Sequence, residues 1–428
     1  MERADALHLL RRTGFTVRPA ELDEIAALSR EAAIDRLMDF GPNGGVSPPP
    51  SALDREGKRW QQVRDLRIWW LDRMRTAPRQ LQEKMVLFWH SHFATNAESV
   101  YYAKHMWDQN QLFREQAIGD FRTMVHAVSV GPAMLAYLDN YRNKAGNPNE
   151  NFARELMELH TLGPDNYAEG DIPEVARAWT GHMLDDEKYV YQFHPNWHDY
   201  RNKTIFGITR DWDGPAVIDE IITGSKRDAC ARFLTRKLFE FFAYENPADA
   251  VVNRIADAYV AGGMQLWVIV REILRSDEFW SAEARAAHVR SPAEFVVACM
   301  VGAGSNADEA RPDWWLDSMG MELFYPPNPS GWQANGYWVS STAQWAKADF
   351  VRHLTWKATR RDHLEEIETM AVPVAVATAF SYFGIEDAAQ TTRRAIEDYM
   401  YAERAAWEWP QHPNLLTLTM LCPDIQVA

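Results

Sequence analysis

Residues 81–93 read LQEKMVLFWHSHF, and helical spacing places Leu81, Met85, Phe88 and His92 on one face. An apolar face of this kind is typical of a helix that packs against a core. The same periodicity recurs before and after a short β-rich interruption. Further helical patterns in the first half of the chain cover residues 53–76, 98–116, 120–129, 148–162 and 171–183. The sequence therefore predicts a mainly α fold, built as a multi-helix globular array.

The β-rich interruption divides this predicted array into two packed lobes. It contains the runs YVYQFH and KTIFGI, which are rich in strand-forming residues and are separated by a turn-like segment. We predict an N-terminal helical lobe over residues 1–185 and a C-terminal helical lobe over residues 214–428. Between them we predict a small β-hairpin insertion over residues 186–213.

The composition narrows the classes of protein to consider. The chain has 428 residues, 46% of them hydrophobic, enough to bury a large core without disulfides. Its formal net charge of −15 argues against an extended nucleic-acid surface. Because no apolar run reaches about 18 residues, we expect no membrane span. The 18 tryptophans either fill the helical core or line a groove for flat ligands such as sugars.

The start of the sequence and its cysteines bear on the cellular compartment. The opening MERADALHLLRRTGF lacks the apolar segment of a secretory signal, so we expect a cytoplasmic protein, or a periplasmic or secreted one if a leader has been removed. Cys230, Cys299 and Cys422 are too widely spaced for a disulfide framework or a CxxC metal clip. We expect them to be free cysteines in the protein interior.

His90 and His92 form a His-x-His pattern at the end of the first helix described above. Within a helix His92 lies on the core face, where its ring nitrogens need partners, and His90 projects to the nearly opposite side. His92 is then either a core histidine bonded to a backbone carbonyl or, if the helix end unwinds, one of two imidazoles turned toward one metal site.

A second group of polar side chains lies in NENFARELMELHTLG, residues 149–163. Asn151, Glu155 and Glu158 are spaced four and three residues apart and so share one edge of a helix. Glu155 lies close to the apolar face, and burial there raises the pKa of a carboxyl group. The two glutamates are either a solvated helix face or part of a functional site.

His198 and Asp199 are adjacent in the loop FHPNWHDYRNK, residues 193–203. Such a pair supplies a metal ligand or an oriented general base, since loops on rigid scaffolds often carry function. Alternatively, Asp199 forms an Asx-turn before the next strand. The irregular segments also contain the tryptophans that bear on ligand binding: Trp197, Trp332 and Trp338.

Several motifs of common enzymes are absent, and others point to a family. The sequence has no dinucleotide-binding glycine pattern, no P-loop, no His-Glu-x-x-His and no Gly-x-Ser-x-Gly, so we expect no nucleotide cofactor. The segments FWHSHFAT, NENFARELMELHTLG, HDYRNKTIFG and PPNPSGW together resemble bacterial domain-of-unknown-function family 1800 along essentially the whole chain. The resemblance implies a mostly helical protein with a partner from a sulfatase-like family, and it implies no established activity.

The leading hypothesis is a metal-dependent enzyme, a hydrolase or an oxygenase, that acts on a small molecule or a glycan. The candidate ligands of one divalent metal (Zn, Mn or Fe) are His90, His92, Glu155 and His198. The candidate catalytic residues are Glu155, Glu158 and Asp199.

Two alternatives belong to other classes. In the first, the chain is a metal-free carbohydrate-active enzyme that uses Glu155 and Glu158 as an acid/base pair. In the second, it is a non-catalytic binding or assembly protein, and its histidines and glutamates form a closed hydrogen-bond and ion-pair network between helices.

Overall fold

A computed structural model describes residues 1–40, 53, 57–185, 189–285, 287–358, 362–406 and 412–428. The described part is mainly helical, as predicted. The first half contains helices α1 (Arg3–Thr13), α2 (Pro19–Ala26), α3 (Arg30–Met38), α4 (Arg59–Thr76), α5 (Gln80–His92), α6 (Ala103–Glu115), α7 (Phe121–Ser129), α8 (Pro132–Tyr137), α9 (Asn151–Glu155) and α10 (Asp171–Ala178).

The second half contains helices α11 (Gly214–Ile222), α12 (Arg227–Phe242), α13 (Asp249–Ala261), α14 (Leu266–Arg275), α15 (Ala282–Arg285), α16 (Pro292–Gly302), α17 (Ala307–Ala310), α18 (Asp313–Leu316), α19 (Ser341–Ala358), α20 (Asp362–Thr369), α21 (Val372–Tyr382), α22 (Gln390–Ala406), α23 (His412–Leu421) and α24 (Pro423–Gln426). Among the helices of the described ranges, none combines the length and apolar character needed to cross a membrane.

The predicted β insertion is confirmed, as two small antiparallel hairpins. Strand β1 (His182–Leu184) pairs with β2 (Tyr191–Phe193), and β3 (Lys203–Ile205) pairs with β4 (Ile208–Arg210). The run YVYQFH therefore pairs with the residues before it, whereas KTIFGI turns back on itself. A left-handed turn at Phe206 and Gly207 makes the second hairpin, with φ of 52° and 79°.

One apolar core passes through all three predicted segments. It extends from Ala6 in α1 to Ile425 in α24 and includes Ile205 and Trp212 of the insertion. The division into residues 1–185, 186–213 and 214–428 therefore stays a prediction. The three cysteines are free and buried, as expected.

Helix α5 lies in the interior and packs against α1, α3, α4 and α6. Every residue of α5 except Ser91 is buried. His92 therefore lies in the core as predicted, and His90 on the other side is buried as well. Trp60, in the first turn of α4, is by contrast 62% exposed.

The carboxylate of Glu83 joins α5 to two neighbouring helices. It accepts hydrogen bonds from Trp70 Nε1 (3.1 Å) and Arg73 Nε (2.5 Å) of α4, and from Arg114 Nε (2.6 Å) and Nη2 (2.8 Å) of α6. Burial alone raises the pKa of Glu83, but the two arginines outweigh it, and the pKa lies below its ordinary value. The charge is thus fully compensated inside the core.

Substitution of Glu83 tests this junction. Glu83→Gln removes the buried carboxylate that Arg73 and Arg114 share, and we expect it to lower the free energy of unfolding by about 3–5 kcal/mol. Urea unfolding measures the change. The control is Glu24→Gln, which removes an exposed ion pair with Arg36 and should cost less than about 1 kcal/mol. Equal losses in the two variants would contradict the role given to Glu83.

The same junction predicts a pH dependence. Because the pKa of Glu83 is lower in the folded chain than its ordinary value of 4.5, its stabilisation is present above pH 4.5 and is lost as the pH falls through the folded pKa. The difference in unfolding free energy between the wild type and Glu83→Gln should therefore shrink in acid. Urea titrations between pH 7 and pH 3 measure this trend.

Candidate functional site

A cavity of about 290 Å³ lies beside the C-terminal end of α5. Its walls come from α5, α12, the beginning of α16 and the irregular segment after Met321. The aromatic part of the lining consists of Phe88, Phe241, Trp332 and Trp338. The ionisable part consists of His92, Lys237, Glu240, Glu245, His288 and Glu294. Two of the three loop tryptophans singled out in the sequence thus face the cavity.

His92 is held by the segment after α9, where the chain forms a π-helical turn, Leu156–Thr161. In this turn the Leu162 N–H donates to the Met157 carbonyl, five residues back. The His160 carbonyl accepts a hydrogen bond from His92 Nε2 at 2.9 Å. Since Nε2 carries the proton, Nδ1 has a free lone pair. Nδ1 is buried, and within the described ranges it has no hydrogen-bond partner.

Burial keeps this imidazole neutral. The pKa of His92 lies well below its ordinary 6.5, first because of burial and then because of the nearby charge of Lys237. His160, whose ring lies 6.0 Å from that of His92, is affected in the same way, and burial lowers its pKa to about 3. At neutral pH the uncharged form of His92 is therefore the populated one.

Lys237 and Glu240 lie one turn apart on α12. Lys237 Nζ donates a 3.4 Å hydrogen bond to the Leu159 carbonyl of the π-helical turn. Burial lowers the pKa of Lys237 to about 8 and raises the pKa of Glu240. Both shifts favour the uncharged form of the side chain.

The wall formed by the irregular segment after Met321 is fixed to α5 by hydrogen bonds from its backbone N–H groups to side chains of the helix. His90 Nε2 accepts the Phe324 N–H at 3.1 Å, and Ser91 Oγ accepts the Trp332 N–H at 3.2 Å. His90 is neutral as well, because burial lowers its pKa to about 3. Gly331 fits against the Ser91 carbonyl with φ of 80°. These contacts hold the Trp332 indole over the cavity.

The floor of the cavity carries an ion pair. Glu294 is bonded to Lys84 Nζ of α5 and accepts the Ser291 N–H at 2.7 Å. Burial alone raises the pKa of Glu294, but Lys84 outweighs it and holds the pKa at about 2. Burial lowers the pKa of His288, 4.0 Å from Glu294, to about 3. Glu294 is therefore an anion balanced by Lys84.

Glu155 and Glu158 do not line this cavity. Glu155 is half-buried, and burial followed by the charge of Glu158 raises its pKa, in the predicted direction. Glu158 accepts a 2.9 Å hydrogen bond from the Tyr167 hydroxyl. Their motif contributes to the cavity through the backbone carbonyl of His160 instead.

His198 and Asp199 lie outside the cavity too. His198 Nδ1 is bonded to the Thr180 carbonyl at 2.8 Å. Asp199 accepts the Arg201 N–H at 3.0 Å, which is the Asx-turn considered above, and pairs with the side chains of Arg201 and Arg177. Hydrogen bonds from Arg201 hold the pKa of Asp199 well below its ordinary range.

No metal site is formed in the part of the chain that the structure describes. There, no three His, Cys, Asp or Glu side chains are grouped so as to hold an ion. The predicted ligands His90, His92, Glu155 and His198 therefore do not form such a group. The metal hypothesis stays a prediction.

Three lining residues were not among the predicted site residues: Lys237, Glu240 and Glu245, which come from α12 and the residues just after it. The available signal was TRKLFEFFAYE, where Lys237 and Glu240 stand three apart in a segment otherwise rich in apolar residues. Nothing local distinguishes this pattern from an ordinary solvated edge.

Comparison with known families supplies the identification. The family described as a protein of unknown function, DUF1800, matches residues 8–427. The chain belongs to the DUF1800 family. This membership confirms the resemblance found in the motifs and leaves the activity open. Comparison of this DUF1800 chain with curated proteins and with solved structures gives no match.

Gly331 offers a test of the cavity wall. A Cβ atom here would overlap the Ser91 carbonyl, and its left-handed φ disfavours any side chain. We expect Gly331→Ala to cost about 1–3 kcal/mol in urea unfolding. Gly336→Ala in the same segment is the matched control, because its Cβ meets nothing within 4 Å. A loss of equal size in both variants would refute the close contact.

Proposed function

We propose that this DUF1800 chain is an enzyme that carries out acid–base chemistry on a small polar substrate bound in the cavity beside α5. One observation carries the proposal: His92 lines the cavity, and its buried Nδ1 has no hydrogen-bond partner among the residues that the structure describes. A buried acceptor without a partner costs free energy, so such an atom is a candidate functional group.

His92 has the features of a general base. Its ring orientation and tautomer are fixed by the bond from Nε2 to the His160 carbonyl, the same kind of support that orients catalytic histidines elsewhere. Because its pKa is far below neutrality, its lone pair is available at any pH near 7. A substrate N–H or O–H, or a water molecule, is the expected donor to Nδ1.

Glu240 and Lys237 supply complementary groups. The raised pKa of Glu240 favours its protonated form, which suits it to donate a proton. Titratable groups with shifted pKa values in one concave site are typical of catalytic sites. The predicted hydrolysis belongs to this class of reaction, with His92 activating water and Glu240 protonating the leaving group.

The cavity limits the size and shape of the substrate. A volume of about 290 Å³ is at the lower end for ligand sites, which range over roughly 300–1,000 Å³. The indole of Trp332 offers a flat apolar surface, and the lining also contains the polar amide of Asn335, whose Nδ2 donates to Glu245 Oε1 at 2.7 Å. One small ring, a pair of small fused rings or a short polar chain fits this description.

A base-probing substrate tests the proposal without knowledge of the natural one. 5-Nitrobenzisoxazole is flat and releases a coloured phenolate when a base removes its ring proton. We expect turnover by the wild type and a loss of about 100-fold in His92→Gln, because glutamine keeps a donor for the His160 carbonyl and has no basic nitrogen. His198→Gln is the control, a buried histidine outside the cavity that also bonds a backbone carbonyl.

The pH dependence is a further check. A histidine of ordinary pKa 6.5 would lose about tenfold in rate between pH 7.5 and pH 5.5. Because the pKa of His92 lies well below 6.5, the part of the rate removed by His92→Gln should stay nearly constant over this range. Wild-type rates equal to those of His92→Gln, or equal losses in both histidine variants, would reject the proposal.

The predicted metal-dependent and glutamate-pair versions remain separate hypotheses. Elemental analysis of the purified chain would detect a divalent metal. Loss of activity on a carbohydrate substrate in Glu155→Gln would support the glutamate pair. Neither version is needed for the chemistry assigned to His92 and Glu240.

A further inference from the structure

We infer that Lys237 is a nucleophile that binds a small aldehyde or ketone in the cavity beside α5 by forming an imine with it. The inference rests on the proposed function and deepens it, since it names the class of substrate and the atom to which the substrate becomes attached. Three observations support it: the position of Lys237, its lack of an ion pair, and the groups beside it.

Lys237 is half-buried in the wall of the cavity, and its ammonium group is weakly satisfied. Its hydrogen bond to the Leu159 carbonyl is long, 3.4 Å, and its other contact is the face of Phe233, with the ring centre 5.2 Å from Nζ. Within the described residues no carboxylate forms an ion pair with it, although Glu240 lies one turn away. Burial without a paired anion favours the neutral amine, the form that attacks carbonyl carbon.

Two other buried lysines lack one of these properties. Lys84 forms an ion pair with Glu294 and is not part of the cavity lining. Lys347 has a pKa lowered by burial to about 8, like Lys237, but it is fully enclosed, donates to Gln426 Oε1 at 2.7 Å and does not line the cavity. Lys347 is thus a natural control that separates a lowered pKa from access to a ligand.

The chemistry is balanced by groups already in the cavity. The Nζ lone pair adds to the carbonyl carbon, the C=O π electrons move to oxygen, and the oxygen takes a proton. His92 Nδ1 accepts one proton from Nζ and passes it to that oxygen, which gives a neutral carbinolamine. Glu240 then protonates the hydroxyl, which leaves as water while the nitrogen lone pair forms the C=N bond, and the remaining N–H proton returns to the Glu240 carboxylate. Addition of water reverses these steps and releases the carbonyl compound. No oxidant or reductant takes part.

Reductive trapping tests the inference on the intact chain. The protein is treated briefly with dilute acetaldehyde and sodium cyanoborohydride at pH 7, and peptide mass spectrometry measures the rate of N-ethylation at each lysine. An amine of pKa about 8 is roughly 10% neutral at pH 7, and one of ordinary pKa about 10.4 is below roughly 0.1%. We therefore expect Lys237 to react at least about tenfold faster than the exposed Lys104 and Lys144.

The controls make each result decisive. Lys347 should remain unmodified, and Lys237→Arg should remove the fast site while leaving the rates at the exposed lysines unchanged. A rate at Lys237 no greater than at Lys104 and Lys144, or equal fast labelling of Lys347, overturns the inference. Because the 5-nitrobenzisoxazole assay depends on His92 and not on an imine, it succeeds or fails independently of this labelling.

Discussion

The carboxylate of Glu83 is the contact on which the interior of this protein depends. It satisfies two arginines and one indole from α4 and α6, and in doing so it fixes a helix that is buried on every side. Because Lys84, His90 and His92 of α5 are also buried, each of them needs a hydrogen-bond partner inside the protein. The ion pair under the cavity, the bond to the Phe324 N–H and the bond to the His160 carbonyl all result from that burial.

Local patterns predict the helices well and the site only in part. The spacing of Leu81, Met85 and Phe88 predicts a buried helix face. His92 is therefore expected in the core, bonded to a carbonyl if the helix persists. Which carbonyl it meets depends on residues 68 positions away, and no local pattern carries that information. The surroundings of Lys237 are still harder to predict from local sequence, because its neighbours come from α5 and from the π-helical turn.

The tryptophans show the same division. Trp70, Trp89, Trp179 and Trp212 are fully buried, which accounts for much of the indole content as core. Trp332 and Trp338 come from the irregular segment and line the cavity, whereas Trp197 stacks on His194 at a separate surface. Trp60, in the first turn of α4, is instead 62% exposed and does not belong to the buried core.

The π-helical turn suggests how such a site arises. Its hydrogen bonds span one residue more than those of an α-helix, so it is equivalent to a single inserted residue in an otherwise regular helix. The insertion rotates the next residues of the chain and aims two carbonyls, those of Leu159 and His160, at Lys237 and His92. Deleting one residue here would restore a regular helix and leave both side chains without their acceptors. A change in chain length, rather than an exchange of side chains, is thus enough to create or abolish this arrangement.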